Sequence, residues 1–294
     1  MQDISWVDRE AYPFKPHYFE SDDGRMQYVD EGKGEPVVLV HGTSSWSFLY
    51  RNLIKALAPG YRCIAPDHLG LGLSDKPQHT AYRPADHANR LYALIEHLGL
   101  DNFTLVVHDF GGPIGLSYAI NQPHTVRSLI LFNTWMWSLR GEAMAELAGI
   151  FGRGQLGTVV FQYLNFELRV LFKMVWGKKA KLSRALHQQY LKPFPAPRDR
   201  KAIVTLAREL RDSSAWYEEL WRQSDRIKDI PALLLWGLKD PIFKKRHLAR
   251  WQALFANART VTFPAAGHFV QEEEHDALIK HVRQFLAAQR VEDT

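Results

Sequence analysis

Cysteine is almost missing from this chain. Cys63 is the only one in 294 residues, so no disulfide framework can form within it. It sits in the apolar run Tyr61-Arg62-Cys63-Ile64-Ala65 and reads as a buried strand residue. No stretch approaches the ~20 consecutive apolar residues of a membrane span. The first twenty residues mix polar, aromatic and proline positions without the apolar centre of a signal peptide. A cytoplasmic protein with no membrane partner is therefore expected. The formal net charge is +5 and the isoelectric point near 9.2. The charges are interspersed, however, and no basic stripe with interleaved aromatics marks a nucleic-acid partner. Internal repeats and low-complexity tracts are absent. At 46% hydrophobic, the chain can bury one large core plus an inserted lid. No feature of the sequence bears on oligomeric state.

What is present first is an alternation. Apolar strands are predicted near 37–41, 61–65, 103–108, 128–133, 231–236 and 259–263. Helical patterns fall near 47–58, 84–98, 111–121, 243–255 and 276–289. His17–Glu20 and Arg25–Asp30 flank the turn-rich Ser21-Asp22-Asp23-Gly24 and read as a hairpin. Strands alternating with helices predict a mostly parallel sheet covered on both faces, with ligands at the strand carboxyl ends. Residues 135–228 break the alternation. They are helical in pattern, rich in aromatics and interrupted at Lys192-Pro193-Phe194-Pro195-Ala196-Pro197. This predicts a main domain over 1–134 and 229–294, with a helical cap over 135–228 closing an apolar pocket.

The sharpest signal is the run Leu105-Val106-Val107-His108-Asp109-Phe110-Gly111-Gly112-Pro113. An apolar strand ends in a polar residue, and two glycines then open a helix: the strand–sharp turn–helix pattern of a nucleophile elbow. The elbow holds no serine. A carboxylate there suits attack on saturated carbon and ester formation, whereas a serine would suit acyl transfer. Asp109 alone could equally be a helix N-cap. Its companions tip the balance. Asp240 follows the strand ending at Trp236-Gly237, and His268 follows the strand at Thr260–Phe263. The order Asp109, Asp240, His268 is that of nucleophile, acid and base. Upstream, Val40-His41-Gly42-Thr43 ends another strand, so the N–H groups of Thr43 and Phe110 are the expected oxyanion-hole donors.

With Ala65-Pro66-Asp67-His68-Leu69-Gly70-Leu71-Gly72-Leu73-Ser74-Asp75-Lys76-Pro77 and Gly267-His268-Phe269 added, the chain resembles the haloalkane dehalogenase branch of the α/β-hydrolases. The resemblance spans roughly residues 20–135 and 229–290. It implies an α/β-hydrolase fold and a two-step hydrolysis without metal or organic cofactor. Asp109 displaces halide from a small apolar haloalkane to leave an alkyl ester. His268, oriented by Asp240, then activates the water that cleaves it.

Two positions depart from that branch. Where it places a halide-holding tryptophan after the nucleophile, this chain has Phe110, and where it often has asparagine after His-Gly, it has Thr43. Phe110 lacks an N–H donor in its side chain, so Trp135, Trp137 and Trp176 become the candidate leaving-group donors. The runner-up, an epoxide hydrolase, would carry proline where Ser44 stands and would draw two acid tyrosines from among Tyr163, Tyr190 and Tyr217. Phe110 excludes the fluoroacetate dehalogenases, which have arginine there. A β-lactone decarboxylase and a non-catalytic binding protein complete the alternatives; binding alone needs no triad.

Overall fold

The computed structural model describes residues 4–143, 145–146, 157–178 and 181–292. Among them the strands are β1 (His17–Ser21), β2 (Gly24–Glu31), β3 (Glu35–Val40), β4 (Tyr61–Pro66), β5 (Phe103–Asp109), β6 (Val126–Thr134), β7 (Ala232–Gly237) and β8 (Arg259–Phe263). They form one sheet in the order β1-β2-β4-β3-β5-β6-β7-β8. β1 pairs antiparallel with β2, and β2 antiparallel with β4. The other five pairings are parallel, as in Val37↔Thr104, Leu105↔Leu129 and Leu131↔Leu234. The central strands are buried along nearly their whole length, including Val37–Val40, Leu129–Phe132 and Leu233–Trp236. Such runs do not alternate because helices cover both faces of a parallel sheet.

The covering helices are α1 (Arg51–Leu57), α2 (Pro84–His97), α3 (Gly111–Asn121), α4 (Arg184–Leu191), α5 (Lys201–Asp212), α6 (Ser214–Arg222), α7 (Lys245–Leu254), α8 (Val270–Glu273) and α9 (His275–Glu292). α2 packs on α3, and α1 on α9. Two of the predicted helices start later than their patterns, for identifiable reasons. The 47–58 pattern splits into a tight 3₁₀ turn, Ser47–Tyr50, and α1, because the Ser47 N–H is drawn onto Asp67 Oδ1 at 2.7 Å. The 243–255 pattern starts only at Lys245, since the preceding backbone is held elsewhere: the Ile242 N–H donates to Asp240 and Trp236 Nε1 to the Phe243 carbonyl.

Between β6 and β7 the described residues contain no strand. They hold α4, α5, α6 and two widened π-helical turns, Thr158–Tyr163 and Glu167–Leu171. Residues 144, 147–156 and 179–180, part of the stretch expected to be the cap, lie outside the described residues. A buried ion pair fastens this stretch to the sheet layer. Arg51 of α1 meets Glu272 of α8 at 2.5 and 2.9 Å, and the Tyr190 hydroxyl of α4 donates to the same carboxylate. Among the described residues no helix is long and apolar enough to cross a membrane.

Candidate active site

Asp109 ends β5 with a left-handed backbone, φ +51°. A non-glycine residue held there stores about 1–3 kcal/mol of strain, and such residues cluster at functional sites. The β5–β6 register shifts between His108 and Asp109, a bulge of the kind that re-aims a side chain. Close packing enforces the turn. The Thr134 hydroxyl donates to the Asp109 carbonyl at 2.6 Å, and a Cβ on Gly112 would strike that hydroxyl. A Cβ on Gly42 would strike the Asp109 carboxylate itself. Both positions must therefore lack a side chain.

The carboxylate is gripped on one oxygen and free on the other. Oδ1 accepts the Thr43 N–H at 2.9 Å, and the Phe110 amide also bonds the carboxylate. Oδ2 lies 3.6 Å from His268 Nε2. Burial pushes the Asp109 carboxyl above its ordinary value, against the nearby His268 charge and the two amides that favour the anion.

His268 Nδ1 meets Asp240 Oδ2 at 2.8 Å. A proton on Nδ1 leaves Nε2 as the acceptor that faces Asp109, an assignment that follows from the partners. Burial alone would lower this imidazole's pKa. The charge and hydrogen bond of Asp240, with Asp109 behind them, outweigh burial and raise it. Asp240 is positioned in turn by the Ile242 N–H on Oδ1 at 2.7 Å and by Asn133 Nδ2 on Oδ2 at 2.9 Å. Asn133 Oδ1 accepts the Gly237 N–H at 2.8 Å, clamping β6 to the end of β7. Sequence reasoning passed over Asn133, although a lone amide in the apolar run Leu129–Phe132 was a usable signal.

Asp109 and His268 line a cavity of about 280 Å³. Its walls are mainly apolar, with Phe110, Leu139, Phe161, Phe172 and Phe243 among them, and Thr43, Ser44, Glu167, Glu142, Lys244 and Arg246 complete them. Such a cavity takes a small apolar ligand and fixes it by a few polar groups.

The Thr43 N–H reaches Asp109 and Phe110 lines the cavity, while the three tryptophans do not line it. Trp135 lies behind its wall, edge-on to Phe110 at 4.8 Å and stacked on Phe243 at 5.1 Å. Trp137 packs against Trp221 and Trp251 beneath Arg250. Trp176 packs on Phe172 and Phe269. None of the three is a cavity-lining residue. The tyrosines are also elsewhere. Tyr190 is bonded to Glu272, Tyr217 donates to the Glu209 carbonyl at 3.1 Å, and Tyr163 is 62% exposed. One acidic residue that lines the cavity was not anticipated. Glu167, at the start of the second π-helical turn, was a single carboxylate in the aromatic stretch Tyr163-Leu164-Asn165-Phe166-Glu167, with no periodicity to mark it.

A model of the α/β-hydrolase fold matches residues 35–275. A cis-3-alkyl-4-alkyloxetan-2-one decarboxylase of Shewanella oneidensis is 34% identical over 93% of this chain and 89% of its own length. Haloalkane dehalogenase 2 of Mycobacterium tuberculosis is 34% identical over 92% of this chain and 94% of its own. Among solved structures, a haloalkane dehalogenase from Agrobacterium tumefaciens superposes with a TM-score of 0.84 at 26% identity, covering 94% of this chain and 97% of that one.

Proposed function

The chain belongs to the α/β-hydrolase family, as a haloalkane dehalogenase-like hydrolase, and from that premise we propose that it works through an ester formed on Asp109. One observation carries the reading: a carboxylate on a strained backbone beside a largely apolar cavity, with one oxygen held by the Thr43 amide and the other facing the imidazole of His268. Asp109 Oδ2 attacks the carbon that bears the leaving group. Esterification removes the Asp109 charge, one of the influences that keep the His268 pKa raised, so the imidazole becomes neutral and ready to accept a proton. Water, deprotonated by Nε2, then attacks the ester carbonyl. The charge that builds on Oδ1 meets the Thr43 N–H already in place, the arrangement that makes preorganised donors effective. Residues 135–228 act as the cap, which excludes water from the first step.

The substrate we favour is a small haloalkane, in line with the mycobacterial relative's name. The second reading is opening of a strained carbon–oxygen ring, an epoxide or the oxetanone in the Shewanella relative's name. The observation behind it is that, among the described residues, no indole N–H lines the cavity to receive a halide. His268→Phe should stop the second step and trap the ester, to be read as a mass gain on the intact protein. An alkyl gain from a bromoalkane supports the first reading and a hydroxyalkyl gain from a terminal epoxide the second. No gain from either would count against the Asp109 ester.

A further inference from the structure

Glu167 has no part in the triad, yet it is buried beside it. Its side chain lines the cavity on the insertion side and accepts the Ser44 hydroxyl, with the Thr43 hydroxyl beside it. The Ser44 side of this contact is conformationally strained, with φ +57°. A serine held in the left-handed region means that the surroundings keep it there against its backbone preference. No ion pair to Glu167 occurs among the described residues. Its charged neighbour is Asp109, another acid. The Asp109 charge raises the proton affinity of the buried Glu167 carboxyl, which favours its neutral form.

We infer that Glu167, as a neutral carboxylic acid, is the donor that receives the leaving group when Asp109 attacks, in the role the tryptophans were expected to fill. The inference rests on the Asp109 ester reading and adds to it. Burial raises the Glu167 carboxyl to about 7, against the Ser44 hydrogen bond that favours the anion, while Asp109 pushes it further up and the Thr43 hydroxyl pulls back. A departing halide keeps the electron pair of the broken carbon–halogen bond and takes a hydrogen bond from Glu167, not its proton. An epoxide oxygen that takes the pair of a broken carbon–oxygen bond is a far stronger base, and it removes the proton, leaving Glu167 ionised. Hydrolysis of the ester returns Asp109 as a carboxylate and frees one proton, which restores Glu167 after ring opening and leaves to solvent after halide departure. The site can therefore serve both leaving atoms, by hydrogen bond for one and proton transfer for the other.

The test uses the His268→Phe protein and follows the rate of ester formation by intact mass with a short-chain bromoalkane and with a terminal alkyl epoxide. Glu167→Leu should slow formation about 100-fold with whichever substrate labels the parent, the usual size of losing one such donor. Glu167→Gln keeps an N–H donor, so it should stay within about 10-fold of the parent with the bromoalkane. With the epoxide it should be as slow as the leucine variant, having no proton to give. Unchanged rates in Glu167→Leu would overturn the inference. So would equal slowing of both substrates by both variants, the signature of a contact that only holds the insertion in place; thermal melting checks that each variant is folded. If the His268→Phe parent itself gains no mass, the Asp109 reading fails and takes this inference with it.

Discussion

The carboxyl edge of the sheet and the helical insertion above it build one cavity by different means. At the sheet edge the backbone does most of the placing, with Asn133 and Asp240 adding side-chain contacts. A bulge, a left-handed residue and two side-chain-free positions aim Asp109, and amides of the main chain hold both Asp109 and Asp240. On the insertion side the placement is by side chains across long sequence separations. Glu167 meets Ser44, and Tyr190 meets the Arg51–Glu272 pair. The first kind of placement is written in short motifs. The second emerges only when distant segments pack, so no local pattern announces it.

Four substitutions or conditions would break or sharpen that contrast. The largest effect is expected at the sheet edge. Asp240→Asn removes the charge that raises the His268 pKa and favours the wrong imidazole tautomer, so steady-state turnover should fall about 10⁴-fold. Ester should accumulate meanwhile, because only the second step needs the base. Chemical denaturation of Arg51→Ala comes next. It leaves Glu272 buried without its cation, which should lower stability by about 3–5 kcal/mol, while the folded variant keeps the rate of ester formation. A loss under about 1 kcal/mol would mean that the pair behaves as a surface salt bridge.

The third effect is one of pH and lies beneath the sheet edge. His41, His68, His87 and His108 are buried, and desolvation is the largest reason that each pKa is lowered. They stay neutral in the folded chain, whereas the unfolded chain protonates them below 6.5. Through these four groups the unfolded state binds more protons, so their share of stability falls as pH falls and outweighs the opposite pull of the raised Asp67, Asp109 and Glu167 carboxyls. His68, which drops from 6.5 to about 4, alone removes about 3 kcal/mol by pH ~4. Denaturation midpoints that stay flat between pH ~7 and ~5 would contradict this. The smallest effect is expected at Trp135→Phe. Its indole N–H is buried without a partner and behind the cavity wall, so ester formation should change less than about 3-fold. A loss near 100-fold would put that N–H on the leaving group.

The same contrast governs what the sequence made legible. The parallel sheet, the elbow at Asp109 and the positions of Asp240 and His268 after β7 and β8 follow from apolar periodicity and turn chemistry, both local. The tryptophans misled for a physical reason. An aromatic residue in a cap can pack on the sheet layer or face the cavity, and composition does not distinguish the two faces. Asn133 carried a signal in its own strand. Glu167 carried none, because its meaning depends on Ser44, 123 residues away.

The most direct test of the Asp109 ester is a single turnover in heavy-oxygen water, with enzyme in excess over a substrate that labels it. If Asp109 attacks carbon, the alcohol formed takes its new oxygen from the carboxylate and carries no label. The heavy oxygen instead appears in the peptide that contains Asp109. Label in the alcohol and none in that peptide would mean that water attacks carbon directly, and the account would fail at its centre.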